Sequence, residues 1–484
     1  MNYKMMGKFI SRILLVEAVF MVPALLISVF NGETKSVVGF ISSIVVIMVL
    51  SGILLLACGN SSKGFYAREG LVCVGMSWIV MSLLGCLPFF ISGEIPDFMD
   101  ALFETVSGFT TTGATVLGEV EEMAYGMLYW RSFTHWIGGM GVLVFVLAIS
   151  SGGDSKSGFT MHLLRAESPG PKVGKLVPKM KTTAEILYAI YIILTVINIL
   201  FLVAGKMPLF DAVCTALGTA GTGGFGIKND SMASYSPYIQ NVCTVFMLLF
   251  GVNFSCFYMI LIKQFKSVWK DEELRFYLGA VFVSILVIAI NIRGFYGTIE
   301  ETIRHAAFQV ASIVTTTGFA TTDFDLWPSL SKMILLTLML VGASAGSTGG
   351  GFKFARLLLI LKSIRRNVRQ VLQPQKIQVV RVNGQPVDEK ILENTNAYLA
   401  IYVIIIVVSC ILIAVDGFSI TTNISAVIAC FNNIGPGFEA VGATCNFGGF
   451  GYFSKLVLII DMLAGRLEIF PIFILFSGAA WRHR

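Results

Sequence analysis

The chain of 484 residues is 55% hydrophobic and only 13% charged, with a mean hydropathy of +0.79 and a formal net charge of +6. Soluble globular proteins carry about twice that charged fraction, so the composition excludes a soluble domain and points to a polytopic membrane protein. Its nine cysteines form no CxxC pair and its four histidines are scattered, which speaks for free thiols in apolar runs rather than a metal cluster or redox centre.

The first two apolar runs, about 9–31 and 36–58, are each long enough to cross about 30 Å of hydrocarbon. The N-terminus resembles a signal peptide only superficially, because its apolar stretch is too long and lacks a small-residue cleavage site. Lys4, Lys8 and Arg12 precede or begin this pair and Lys63 and Arg68 follow it, so both of its ends are expected in the cytoplasm. Four units then follow, each reading as outer helix, short segment, glycine loop and inner helix. Their outer and inner helices are expected at about 71–93 and 127–150, 183–205 and 237–263, 274–296 and 329–361, and 395–416 and 452–480. The short segments between them fall at about 97–109, 209–218, 299–314 and 421–431. The predicted organisation is a helix pair over 1–70 and four repeats over 71–182, 183–273, 274–394 and 395–484.

The four short segments are too brief to span, and each runs into a related loop: Thr110-Thr111-Thr112-Gly113, Thr219-Ala220-Gly221-Thr222-Gly223, Thr315-Thr316-Thr317-Gly318 and Asn432-Asn433-Ile434-Gly435. That is the pattern of a re-entrant pore loop. A cation entering a membrane exchanges its water for other oxygens, and backbone carbonyls lining a narrow pore supply them. Glycine permits the backbone conformations this needs, and irregular backbone at membrane depth is tolerated where it lines a cavity. The expected cation-binding filter comprises Thr111, Thr112 and Gly113; Gly221, Thr222 and Gly223; Thr316, Thr317 and Gly318; and Asn433, Ile434 and Gly435. The short helices would aim their partially negative C-terminal ends at the same axis.

Each unit crosses the membrane twice, so the four are parallel and close around one pore in a pseudo-fourfold arrangement. Loop charges agree. Lys156, Arg165, Lys172, Lys175, Lys179 and Lys181, then Lys263 to Arg275, then Lys362 to Lys390, and finally Arg482 and Arg484 lie on one side. Glu94, Asp97, Asp100, Glu119, Glu121, Glu122, Asp323 and Asp325 lie on the other; those around the first loop, with Glu104, read either as a cation-attracting vestibule or, for most of them, as a solvated outer rim. Positive residues sit inside and the filter mouths open outside. Alternation around Asn383-Gly384 predicts a small hairpin in the last basic loop, serving as a connector or docking surface.

Two further features lie in inner helices. The run Gly346-Ser347-Thr348-Gly349-Gly350-Gly351 is a poor helix former and fails as a P-loop because Phe352 separates Gly351 from Lys353. It predicts a broken helix whose loop lies beneath the filter and obstructs the pore. Arg466 stands in an apolar run, where a guanidinium costs at least about 2.5–3.5 kcal/mol and is functional by default. Asp461 and Glu468 are not three or four positions away and fall far from its helical face, which leaves a carboxylate on another helix open.

Asp100-Ala101-Leu102-Phe103-Glu104 with the first loop, Trp136-Ile137-Gly138-Gly139-Met140-Gly141, Gly435-Pro436-Gly437 and Gly465-Arg466-Leu467-Glu468 resemble the TrkH potassium-uptake subunits of the Trk, Ktr and HKT superfamily. The resemblance covers essentially the whole chain, and the two extra N-terminal helices favour the Trk branch. It implies a K⁺-translocating homodimer, with potassium as the ion at the filter residues, assembled with a cytoplasmic nucleotide-binding regulatory subunit, TrkA in that branch. In the wider family a serine at the first filter glycine is associated with sodium, so Gly113 points to potassium. The resemblance also implies the intramembrane gate loop, and it places the arginine matching Arg466 in the pore below the filter as a barrier. A bacterial inner-membrane protein with both termini cytoplasmic is expected, surrounded by membrane lipid and carrying no covalently bound cofactor, with no nucleic-acid partner and no enzymatic site. The competing reading is a secondary transporter of Na⁺ or a small organic solute through broken helices, which inverted rather than parallel repeats would fit.

Overall fold

In the computed structural model, residues 2–58, 67–139, 141, 180–376 and 378–481 are described. The distal half of the first expected inner helix, the basic loop from Lys156 to Lys179, and Lys63, Arg482 and Arg484 lie outside them. Helices Tyr3–Phe30 and Thr34–Cys58 form an N-terminal hairpin. Its helices are joined in the half away from the turn, where the Ser11 and Ser51 hydroxyls meet at 2.8 Å and reach each other's carbonyls, the small polar contact that packs helices where apolar surface alone gives no preference. Glu33 in its turn accepts from Tyr125 N and Gly126 N at 2.6 and 3.1 Å. It thereby caps the inner helix of the first unit, Tyr125–Gly139.

The outer helices are Ala67–Gly85 continued by Leu87–Ser92, Met180–Ala204, Glu272–Asn291 and Glu389–Ile413. Among the described residues six helical spans are long and apolar enough to cross a membrane. Large apolar side chains such as Val45, Ile193, Phe282 and Ile404 are exposed on their outer faces, the inverse of a soluble protein and the form a lipid-facing surface takes. The all-α, pore-loop architecture expected from the sequence is therefore what the chain adopts.

Between outer and inner helices run Phe98–Phe109, Leu209–Gly221, Ile299–Val314 and Ile420–Phe431, of 12 to 16 residues. At about 1.5 Å per residue none reaches across about 30 Å of hydrocarbon. Asp97, Thr298 and Ser419 cap three of them by accepting from first-turn amides, which fixes where they start.

The inner helices of the second and fourth units depart from the uninterrupted spans expected from hydropathy, while that of the third breaks where its glycine run predicts. In the second unit, Pro237–Phe250 and Phe254–Leu261 are bent by 90°, because Asn253 caps a new helix and Gly251 O is taken by Ser344 N. In the third, Ser329–Val341 stops at Gly342 (φ 76°) and the chain resumes as Phe354–Leu372. In the fourth, Tyr452–Arg466 gives way to Phe470–Phe476 through Glu468 and Ile469, both at positive φ. Hydropathy is blind to the second and fourth breaks, since both halves of those runs remain apolar.

The predicted hairpin forms, with Arg381 opposite Pro386 and Val382 opposite Gln385 around Asn383 and Gly384, both left-handed. Its tip is docked: the Asn383 amide bonds Asp271 Oδ2 and Glu272 N, both at 2.9 Å.

Asp97 generates a stability prediction. The Tyr452 hydroxyl donates to its carboxylate at 2.7 Å and, with the helix amides, holds its pKa below the ordinary value. A depressed native pKa gives stability that is complete above the unfolded value of about 3.9 and is lost as pH falls through the native one. Asp97→Ala should cost about 0.5–2 kcal/mol at neutral pH, and melting in detergent should show the gap to wild type closing in acid.

A candidate ion pathway ringed by four loops

All four short helices end in the same turn. The second residue after Phe109, Val314 and Phe431, and the first after Gly221, is left-handed: Thr111 (φ 56°), Thr222 (φ 53°), Thr316 (φ 59°) and Asn433 (φ 55°). The next amide reaches back five residues: Thr112 N to Ser107 O, Gly223 N to Gly218 O, Thr317 N to Ser312 O and Ile434 N to Ala429 O, at 2.8 to 2.9 Å. This is a Schellman closure, with threonine or asparagine where glycine is usual. A second positive φ follows two residues on, at Gly113, Gly224, Gly318 and Gly435.

This equivalence corrects the register of the second loop. The triplet matching Thr111-Thr112-Gly113 is Thr222-Gly223-Gly224, not Gly221-Thr222-Gly223; Gly221 is the last residue of its helix. Three glycines lie in the motif Gly221-Thr222-Gly223-Gly224, and composition does not say which one takes the left-handed position; the hydrogen bond from Gly223 N does.

The glycines close a ring. A Cβ added at Gly113 would stand 2.0 Å from Gly223 O, at Gly224 1.9 Å from Thr317 O, at Gly318 2.2 Å from Ile434 O, and at Gly435 2.8 Å from Thr112 O. Each loop thus presses its glycine against the carbonyl of the next, in the cyclic order one, two, three, four. Gly113, Gly224, Gly318 and Gly435 together line one cavity that also takes in Lys228 and Asn229. The sequence-predicted loop residues are brought together here, with Gly221 one position removed.

Behind the ring, Thr110 and Thr315 hydroxyls bond those of Thr112 and Thr317 at 2.8 Å. Loops one and two are joined by His135, which hydropathy did not single out. Its Nε2 accepts from Phe225 N at 3.2 Å, which leaves the proton on Nδ1 to donate to Gly108 O at 2.8 Å. Glu104 is not a rim residue: it is buried, paired with Arg131 at 2.6 Å, and accepts from Thr115 Oγ1 and Val116 N. Arg131 also covers the Phe225 ring at 3.6 Å and donates to Gly226 O. Arg131, His135 and Gly138 recur at helical spacing on one face of an otherwise apolar helix, and that periodicity was the available signal. Other acids do lie at the mouth. Hydroxyls of Ser419 and Thr422 hold the Glu439 carboxyl below its usual range, while burial raises that of Asp325.

On the opposite side of the ring lies the 342–353 break. Gly350 N donates to Thr316 Oγ1 at 2.7 Å, and Cβ atoms added at Gly349 and Gly350 would stand 2.9 Å from Thr315 O and 2.5 Å from Asn432 O. Ser344 N and Phe254 N tie the loop to the bend of the second unit. Arg466 donates to Thr348 O and Gly139 O, both at 2.8 Å, and to Gly138 O, and Lys353 donates to Gly349 O. Neither neighbouring acid is committed to Arg466: Asp461 accepts from Ser409, and Glu468 pairs with Arg356. Lys353 is a second buried cation in the same place; the sequence pattern tests it only against a P-loop, from which Phe352 excludes it.

Four re-entrant helices delivering left-handed loops to one axis, inside a bundle of apolar helices, define a polytopic membrane protein built on pore-loop repeats. The family model of TrkH, described as a cation transport protein, matches residues 37–483. The chain belongs to the TrkH family. The Trk system potassium uptake protein TrkH of Salmonella typhimurium is 35% identical over 427 residues, 86% of each protein. That of Halomonas elongata is 32% identical across 100% of both. The crystal structure of the potassium transporter TrkH from Vibrio parahaemolyticus matches with a TM-score of 0.88 at 29% identity, over 100% of both chains.

Glu104→Ala should strand the buried Arg131 charge and cost about 3–5 kcal/mol. A double variant with Arg131→Met should recover part of the loss in melting measurements, whereas equal losses in single and double variants would contradict a paired role.

Proposed function

We propose that this chain is a potassium-uptake subunit of a bacterial plasma membrane, conducting K⁺ through the filter Thr111-Thr112-Gly113, Thr222-Gly223-Gly224, Thr316-Thr317-Gly318 and Asn433-Ile434-Gly435. The single observation that carries the reading is the cyclic contact of four glycines with four carbonyl oxygens. Such a ring can replace a cation's water, and its rigidity sets the ion size accepted. The C-terminal ends of the four short helices add partial negative charge at the same axis. The potassium named in the relatives' descriptions supports the choice of ion.

The loop Gly346–Gly351 is the gate and Arg466 its clasp and barrier. The guanidinium joins Thr348 O of the third unit to Gly138 O and Gly139 O of the first, so one fixed positive charge both holds the loop and repels a cation below the filter. The Trk system named for the relatives supports a cytoplasmic nucleotide-binding regulatory partner resembling TrkA. The exposed apolar row Leu361, Ile364, Val368 and Val371 on Phe354–Leu372 supports a homodimer contact. Cytoplasmic termini follow from the basic loops.

Rubidium uptake into proteoliposomes, with Na⁺ and amino acids as competitors, tests the reading: uptake blocked by K⁺ alone is expected, and amino-acid transport without Rb⁺ flux would overturn it. Gly113→Ser, which drives a side chain onto Gly223 O from a φ of 77°, should lower K⁺ flux and relax discrimination against Na⁺. Arg466→Ala should raise K⁺ flux and Arg466→Lys should stay nearer wild type; a folded Arg466→Ala protein with unchanged or reduced flux would remove its barrier role.

A further inference from the structure

Between the second and third units the chain leaves the helix Phe254–Leu261, forms the short helix Phe265–Lys270 and enters the outer helix Glu272–Asn291. Over residues 261–270 only Val268 is buried. What the segment exposes is unusual for a connector. Phe265 is 60% and Trp269 74% accessible, and their four-residue spacing puts both rings on one face. At about 100° per residue, the order around the helix is buried Val268, then the aromatic pair, then Lys266 and Lys270. Rings flanked by lysines fit the headgroup boundary of a bilayer, where the rings enter the acyl edge and the lysine stems reach back to phosphate. Leu261 and Ile262 before the segment and Leu278 and Phe282 after it are exposed as well, so the aromatic pair continues the lipid-facing surface along the chain.

The lysines lack internal counter-charges. Lys263, Lys266 and Lys270 enter no ion pair among the described residues. The acids that follow are committed elsewhere: Asp271 accepts from Leu274 N at 2.8 Å and from the Asn383 amide at 2.9 Å, Glu272 pairs with Lys362, and Glu273 accepts from Ala345 N at 2.6 Å. Three ammonium groups beside two exposed rings therefore call for anions from outside the chain. A soluble acidic partner would supply charge but leave the rings in water whenever it dissociated, and a lipid headgroup supplies both surroundings at once.

We propose that residues 261–270 bind anionic phospholipid of the cytoplasmic leaflet, with Phe265 and Trp269 in the acyl boundary and Lys263, Lys266 and Lys270 on the phosphates. Such leaflets carry negative surface charge, and basic side chains at the surface are drawn to it. The site is tied to the centre of the molecule at both ends. Phe254 N, where the preceding helix begins, donates to Gly346 O at 3.0 Å, and Glu273, just beyond the segment, takes the adjacent Ala345 N. A leaflet that fixes the segment therefore steadies the 342–353 loop.

The test titrates full-length protein in detergent with brominated phosphatidylglycerol or brominated phosphatidylcholine, taking Trp269 emission as the difference between wild type and Trp269→Phe. The anionic lipid should quench at lower concentration. Its affinity should fall about fivefold for each of Lys263→Gln, Lys266→Gln and Lys270→Gln, and should weaken with added salt. Glycerol phosphate, which has the charge without acyl chains, should not displace it. Amide exchange over 342–353 should be slower in phosphatidylglycerol than in phosphatidylcholine, and the triple lysine variant should lose that difference. Equal quenching by both lipids, or unchanged affinity in the triple variant, would overturn the anionic site; a Trp269 that neither lipid quenches would place the segment against water or a protein partner. Quenching as expected with exchange indifferent to headgroup would overturn the link to the loop. The substituted side chains are exposed, so the variants should fold. Binding and exchange are read without transport, so a failure of Rb⁺ uptake bears on the transport reading and leaves the lipid site standing.

Discussion

Everything at the centre of this protein depends on a glycine of one loop meeting a carbonyl of the next. Added Cβ distances of 1.9 to 2.8 Å leave no room for any side chain, so the contact cannot be relaxed locally. Removing any one of the four loops would leave one glycine without its carbonyl and one carbonyl without its glycine. The four Schellman turns exist to present those two groups at fixed separation. The long apolar helices position the turns, and the buried pairs behind them, Glu104 with Arg131 and His135 with Gly108 and Phe225, resist any sliding of one loop against its neighbour.

The energetics of that design run against local preference. Three threonines and an asparagine sit at left-handed φ. Backbone of this kind persists only when surrounding structure over-determines it. Here the surroundings are a glycine-to-carbonyl lock in the plane of the ring and tight glycine packing behind it: Gly138 against Phe109 O and Gly465 against Phe431 O, where an added Cβ would stand 1.9 and 1.8 Å away.

Much of this was legible in the chain. Hydropathy separated long runs from short ones, and Thr/Gly loops after every short run marked the turns, so the re-entrant helices were located within a few residues, Ile299–Val314 among them. What was lost follows a pattern. Helix breaks at Gly251–Asn253 and Leu467–Ile469 interrupt runs that remain apolar on both sides, and hydropathy averages over them. In the second loop, consecutive glycines made any of several residues eligible for positive φ, and only a hydrogen bond across the turn distinguishes them. Glu104 reads as a rim acid because its partner Arg131 is 27 positions away. Sequence periodicity describes one helix at a time, and these features are made between elements.

The ring and the layer beneath it obey different symmetries, and this explains why four repeats share one chain. In the ring each unit contributes the same turn. Beneath it, among the described residues, the third unit sends in a loop, the fourth supplies an arginine, the first offers Gly138 O and Gly139 O, and the second receives the loop at Phe250 O and Gly251 O. In a tetramer of identical units every copy would carry the loop and the arginine, and four such loops would compete for the space around a single axis. Four guanidiniums there would also repel one another. A single chain lets the repeats diverge below the ring while the glycine-to-carbonyl contact keeps them equivalent within it. One loop then lies beneath a ring that four turns build.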